Sequence, residues 1–453
     1  MVKYERCSLS EVSFSEGDMS PNRHQLPFPC GRSTSASGCA TLFLIEINGG
    51  AGRQDEDVVH MVNERMYGLG AEPSAIRELF AYGMVRKAEI GAENVFDFSI
   101  GNPSVPAPDA VKQAVLELMD EEPSALHGYT PAAGDPRVRQ AVADHIRRRY
   151  DVPAQPEQVY LTAGAAAGLA ISISAVTEPG DEVIIIAPFF PEYKVWIGTA
   201  GCACVEVPAH VPDFQLDIDA LAQAIGPKTA AIILNSPNNP VGAVCSRENL
   251  EAFAALLARK EEELGRKLYV ISDEPYREIT YGAEVPYVPC VWPRTIVCYS
   301  YSKSLSLPGE RIGYLYVSDL MDDAREVSTA VAGAGRALGF ICAPVLFQRV
   351  IARCIDEPSD VAAYAANREL LTTGLGELGY EFVEPQGAFY LWVRALEDDA
   401  QAFSDRAKAH ELLLVPSDSF GVGGWVRVSY CVSREVIERS MPAFKALKES
   451  YEG

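Results

Sequence analysis

"TIVCYSYSKSLSLPGERIGYLYVS", residues 295–318, sets one lysine, Lys303, between two runs of strand-forming residues. The first run, "TIVCYSYS" (295–302), and the last, "IGYLYVS" (312–318), are apolar and rich in β-branched and aromatic residues, the pattern of buried strands. The first run ends on the hydroxyls of Ser300 and Ser302, and between the two runs stand the amine of Lys303 and the guanidinium of Arg311. Arginine offers five donors in a planar fork that matches a phosphate dianion. A lysine after a strand is ordinary surface decoration unless other strand ends bring chemistry to it.

Other strands do recur at short intervals. "QVYLTAG" (158–164), "DEVIIIAP" (181–188), "GCACVEVP" (201–208), "TAAIILNSP" (229–237) and "LYVISDE" (268–274) are short apolar runs. Helical patterns fit among them: "PSAIRELFAYGMVRKAEIGAE" (73–93), with Ile76, Leu79, Phe80 and Met84 expected on one face, "DPRVRQAVADHIRRRY" (135–150) and "RENLEAFAALLARKEEELG" (247–265). Apolar strands alternating with helices predict an α/β fold: a large domain with a mostly parallel sheet covered by helices on both faces. Ligands bind such sheets beyond the carboxyl ends of the strands. The residues found there are "TAG", "PFF", "NSPNNP", "SDEPY" and "SYSK", all of them polar, aromatic or small. Past residue 340 a long helical stretch leads to "YEFVEPQGAFYLWV" (380–393) and "WVRVSYCV" (425–432), the pattern of a smaller α+β domain. The expected organisation is an extension over 1–60, the N-terminal part of the small domain over 61–106, the large domain over 107–340 and the C-terminal small domain over 341–453. The extension has no sustained periodicity and reads as disordered, or as preceding a start at Met61.

Composition limits the partners. The formal net charge of −23 repels nucleic acid and anionic membrane. A regulator with a DNA-binding domain ahead of this fold would need paired basic helices in 1–60, and none is seen there. Eleven cysteines are scattered without a disulfide framework, so reduced thiols and a cytoplasmic location are expected. The six histidines form no metal-binding spacing, and no metal is expected. The apolar run "ATLFLIEI" (40–47) is too short for a membrane span or a signal peptide.

Taken in order, the strand-end residues resemble the class I/II aminotransferases, the fold-type I family that depends on pyridoxal 5'-phosphate, over about residues 70–450. The resemblance implies that Lys303 forms a Schiff base with the cofactor and later moves a proton. It implies that Ser300, Ser302 and Arg311 hold the phosphate, with the backbone of Gly164, Ala165 and Ala166 at a helix start. Asp273, which could otherwise be a plain helix cap, would face the pyridine nitrogen and keep it protonated. Tyr276 and Asn239 would donate to the phenolic oxygen; "NSPNNPVG" around Asn239 also has the composition of a turn. Phe190 would stack on the ring, with Phe189 as its rival and a core aromatic as the plain reading of either. Tyr129, in "HGYTPAAG", would reach the phosphate of a neighbouring subunit's cofactor and so implies a homodimer with shared sites. Arg427 would grip the substrate α-carboxylate near Gly101 and Asn239, and Arg336 could meet a side-chain carboxylate. Lys303, Asp273 and Tyr276 are thus the expected catalytic residues. The implied reaction moves an amino group from an amino acid to a 2-oxo acid with ping-pong kinetics. A carbon–sulfur β-lyase, or another fold-type I enzyme acting on amino acids, would use the same lysine and aspartate. The chain departs from the family pattern at Ala165, Ala166 and Ala167, where a polar residue is usual and some aspartate-specific members carry lysine, which argues against strict aspartate specificity.

Overall fold

The computed structural model describes residues 62–71 and 74–452. The expected extension over 1–60, with Met61, lies outside the described residues. In chain order the strands are β1 (Phe96–Asp97), β2 (Val159–Thr162), β3 (Glu182–Ala187), β4 (Ala203–His210), β5 (Gln215–Leu216), β6 (Thr229–Asn235), β7 (Tyr269–Asp273), β8 (Thr295–Ser300), β9 (Gly313–Val317), β10 (Phe382–Val383), β11 (Tyr390–Arg394), β12 (Leu412–Leu413), β13 (Val415–Pro416) and β14 (Trp425–Ser429). Eight of them form one sheet in the order β2-β9-β8-β7-β6-β3-β4-β5. The pairs β4–β3, β3–β6, β6–β7 and β7–β8 are parallel, whereas β9 runs antiparallel to both its neighbours and β5 antiparallel to β4.

Successive side chains of a strand face opposite sides, so a run of isoleucines feeds two cores at once. Ile184, Ile232 and Val270 pack with Leu250, Phe253 and Leu257 of helix Arg247–Leu264. Ile185, Ile233 and Ile271 pack on the other face with Leu169 and Ile173 of helix Ala165–Val176. The α/β expectation holds, because strands buried on both faces must be apolar throughout.

Helix ends follow local chemistry. Asp135 caps Pro136–Tyr150 by accepting from the Arg137 amide at 2.9 Å, and Ser246 caps Arg247–Leu264 by accepting from the Asn249 amide at 3.1 Å. Helix Ala75–Ile90 departs from its expected face. It buries Leu79 and Gly83, while Phe80 and Met84 are exposed, Met84 at 58%. The contact is narrow because Gly83 lies directly on Leu413, where a Cβ would sit 2.8 Å from Leu413 Cδ1.

A second sheet, β10-β11-β14-β13, is antiparallel, and β1 pairs with β12 in parallel. Its core holds Phe98, Leu391, Val426 and Val428 with Phe444 and Leu447 of helix Arg434–Glu449. Pairing of Trp392 with Arg427 across β11 and β14 fixes the face on which that arginine emerges. Among the described residues no helix is long and apolar enough to cross a membrane, no His/Cys/Asp/Glu group is placed to hold a metal ion, and each cysteine is free.

Candidate active site

The carboxyl ends of β7 and β8, the loop after β6 and the start of helix Ala165–Val176 meet β11 and β14 of the smaller sheet around a pocket of about 300 Å³. Its walls include Gly101, Ala165, Ala166, Phe190, Asn239, Asp273, Tyr276, Ser300, Ser302, Lys303, Arg311 and Arg427. Residues far apart in sequence converge there because parallel strands all end on one edge. Of the two phenylalanines, Phe190 faces the pocket and Phe189 is buried in the core beneath it. Tyr129 is 98% exposed and Arg336 lies on an exposed helix face; neither lines this pocket.

Strand β8 ends at Ser300, which caps a one-turn helix, Tyr301–Ser304, by accepting from the Ser302 amide at 3.2 Å. That turn aims Lys303 inward. Its Nζ donates to the carbonyl oxygen of Gly101 and lies 5.4 Å from the centre of the Phe389 ring. Burial lowers the amine's pKa to about 8; Arg427 and Arg311 push the same way and Cys431 pushes against them. An amine so placed is neutral in a usable fraction near neutral pH and can act as nucleophile or base.

Asp273 closes β7 and starts no helix, so the capping reading fails. Tyr193 donates to its Oδ2 at 2.5 Å and Asn235 Nδ2 donates to its backbone carbonyl at 2.8 Å. Its Oδ1 is buried with no hydrogen-bond partner. Burial raises the carboxyl pKa to about 7, against the pull of the Tyr193 bond. A buried carboxylate oxygen without a donor invites a cationic N–H.

On the opposite side, Ser300 and Ser302 hydroxyls lie 2.7 Å apart, beside Arg311 and the amide end of helix Ala165–Val176. Gly164, at φ +80°, makes this cradle possible. A Cβ there would stand 3.0 Å from Arg311 Nη2. Two hydroxyls, a guanidinium and a helix start form a cradle for a phosphate.

Arg427 is the third charge. Its Nη1 donates to Asn239 Oδ1 at 3.0 Å and its Nη2 to the Ser99 carbonyl at 2.6 Å, while its Nε is buried without a partner. Arginine only donates, so Asn239 must turn its oxygen to it and its NH2 group elsewhere. Tyr276 meets the hydroxyl of Tyr390 at 2.9 Å, and burial holds its own pKa well above the ordinary phenol value.

The family model for aminotransferase class I and II matches residues 93–444. The chain belongs to the class I and II aminotransferases. It is 30% identical over 396 residues to an aromatic-amino-acid aminotransferase of Thermococcus litoralis, covering 83% of this chain and 96% of that one. It is 32% identical over 354 residues to an aspartate/prephenate aminotransferase of Thermus thermophilus, covering 76% of this chain and 88% of that one. Among solved structures, an amino transferase from Eubacterium rectale superposes with a TM-score of 0.84 at 52% identity, over 87% of this chain and all of the other. This aminotransferase is therefore an enzyme that moves amino groups, on a fold-type I framework.

Two pocket residues, Trp196 and Tyr390, and Tyr193, the hydrogen-bond partner of Asp273, carry no signal in the sequence. Tyr193 and Trp196 stand on a short helix, Glu192–Thr199, and Tyr390 on β11 inside the run "GAFYLWV". Each reads locally as a core aromatic.

Proposed function

We propose that this aminotransferase uses pyridoxal 5'-phosphate to move an amino group from an amino acid to a 2-oxo acid in two half-reactions. The orphaned Asp273 Oδ1 carries this reading, standing in the same pocket as the desolvated amine of Lys303. The residues fit the cofactor on three counts: a buried carboxylate for a protonated ring nitrogen, a cradle for a phosphate and an amine for an aldehyde. When bound, pyridoxal phosphate supplies the aldehyde and an electron-poor ring that stabilises negative charge on the substrate's α-carbon.

The chain supplies the rest. Ser300, Ser302 and Arg311, with the amides of Ala165 and Ala166 next to Gly164, bind the phosphate. Phe190 would cover one face of the ring. Asn239 NH2 and the Tyr276 hydroxyl would donate to the ring oxygen, and Asp273 would hold a proton on the ring nitrogen. Arg427 would pair with the substrate α-carboxylate beside Gly101, and Lys303 Nζ would take the proton from the α-carbon in the first half-reaction and give one back to the α-carbon in the second. The apolar walls at Ile76 and Ile100 favour neutral side chains over the carboxylate of aspartate.

We also infer a homodimer in which Tyr129 completes the neighbouring subunit's phosphate site. Its 98% exposure, with Phe340 and Ile341 exposed in a loop tied to Ala132 through the Cys342 amide at 3.1 Å, supports this. We further infer a larger domain over 107–340 and a smaller one built from 61–106 and 341–453; helix Val345–Cys354, which buries Val350 and Ile351 in the same core as Val142 and Tyr314, supports extending the larger domain through that helix. The cytoplasm is the location consistent with free thiols.

Amino-acid-dependent bleaching of the cofactor's visible band, with a stoichiometric 2-oxo acid product, tests the reaction. Release of pyruvate and ammonia without amino transfer would instead mark a β-lyase.

A further inference from the structure

Tyr390 enters the pocket from the smaller sheet, yet three features of the reaction site converge on it. Its hydroxyl lies 2.9 Å from the Tyr276 hydroxyl, the one hydrogen bond that Tyr276 Oη makes among the described residues. Its ring lies 4.6 Å from the guanidinium carbon of Arg427. Its Oη fills the space over Gly101, where a Cβ would stand 2.0 Å away, and the Gly101 carbonyl in turn holds Lys303. Tyr390 is itself 2% exposed and packed edge-on against Tyr276, with ring centres 5.7 Å apart at 79°.

We propose that Tyr390 is a positioning residue for amino transfer: its hydroxyl orients and polarises Tyr276, and its ring backs Arg427. The inference rests on the pyridoxal-phosphate reading above. A phenol has one hydrogen. If Tyr276 directs its own toward the cofactor, its oxygen must accept from Tyr390, and an accepted hydrogen bond makes a phenol a stronger donor. The smaller sheet thereby aligns two groups with different duties, one facing the cofactor and one facing the substrate carboxylate. Both phenols stay protonated, since burial raises each pKa, that of Tyr390 to about 12.

The two duties separate on substitution. Tyr390→Phe keeps the ring and removes one oxygen. With pyridoxal phosphate bound, the pH midpoint of the lysine-linked visible band should rise, because a weaker Tyr276 donor leaves more charge on the ring oxygen next to the protonated nitrogen. The titratable groups acting on Lys303 Nζ are Arg311, Arg427 and Cys431, Asp273 and Tyr276 line the same pocket, and none of them is altered. The kcat should fall about fivefold, the size of one lost hydrogen bond, with KM for the amino acid unchanged. Tyr390→Leu, which also removes the ring, should raise KM.

A double-substitution cycle decides the route. On a Tyr276→Phe background, Tyr390→Phe should move the midpoint no further. An unchanged midpoint in the single variant, or an equal shift on both backgrounds, would overturn the assignment. So would a Tyr390→Phe apoprotein that no longer unfolds cooperatively, which would mark Tyr390 as purely structural. A wild-type protein without any lysine-linked band would instead overturn the cofactor reading itself.

Discussion

Tyr193 and Asp273 share one buried hydrogen bond, with the phenol oxygen 2.5 Å from Oδ2, while Oδ1 of the same carboxylate has no partner. One oxygen is tied to the protein and the other is left for something that binds. The tie lowers the pKa of a carboxyl that burial alone would push higher. Tyr193→Phe should therefore raise that pKa and shift the acid limb of kcat/KM to higher pH. A limb that stays in place would show that Tyr193 is only packing.

Asp273 also makes a stability prediction for the cofactor-free protein. Its folded pKa of about 7 lies above its ordinary value of 3.8. Between those values the folded state binds more protons than the unfolded one, so stability falls as pH rises from about 4 to about 7 and stays low above it. Asp273→Asn removes this dependence. The apo variant should be more stable than the apo wild type at pH 8, by roughly 2 kcal/mol after the loss of Tyr193 geometry is set against the gain. Urea unfolding of both apoproteins at pH 5 and pH 8 checks this, and a wild type equally stable at both would contradict it. The same variant should be nearly inactive, because a neutral amide cannot stabilise a proton on the ring nitrogen as the carboxylate would.

Arg427 offers an unpartnered Nε beside two engaged terminal nitrogens. Arg427→Lys keeps a charge and loses the fork, so KM for the amino acid should rise about a hundredfold, in line with 2–3 kcal/mol for a charge-assisted bidentate contact. Cofactor affinity should stay within a few-fold. A rise in KM below tenfold would place carboxylate binding elsewhere.

Gly164→Ala should weaken phosphate binding without touching a catalytic group. The residue sits at φ +80° and ψ 175°, a conformation essentially confined to glycine, where a side chain costs about 1–3 kcal/mol. Its Cβ would also press on Arg311 at 3.0 Å. A tenfold or greater rise in the dissociation constant for pyridoxal phosphate, measured by fluorescence quenching of the apoprotein, is the expected result. An unchanged constant would remove Gly164 and Arg311 from the cradle.

How far the sequence reveals this site depends on how local each part is. Lys303, Ser300, Ser302 and Arg311 follow a single strand within one short segment, so their chemistry is visible as a string. Asp273 closes a buried strand and Asn239 stands in the loop just after another, and the rule that parallel strands end together brings them to one edge. Tyr193 and Tyr390 obey no such rule. Their partners, Asp273 and Tyr276, come from distant segments, and an aromatic between apolar neighbours looks the same whether its hydroxyl is used or idle. The face of helix Ala75–Ile90 failed for a related reason. Period 3.6 marks which residues share a side, but Gly83 decides how close the neighbour comes, leaving Phe80 and Met84 outside the contact.

The most direct test is the visible absorbance of the purified wild type with pyridoxal phosphate, before and after borohydride reduction, with Lys303→Ala alongside. The account predicts a lysine-linked band in the wild type, bleached by a neutral amino acid, and a reduced cofactor recovered covalently on the peptide containing Lys303. The variant should show neither band nor adduct. Stable labelling of a different lysine, or a wild type with no band at saturating cofactor, would contradict it.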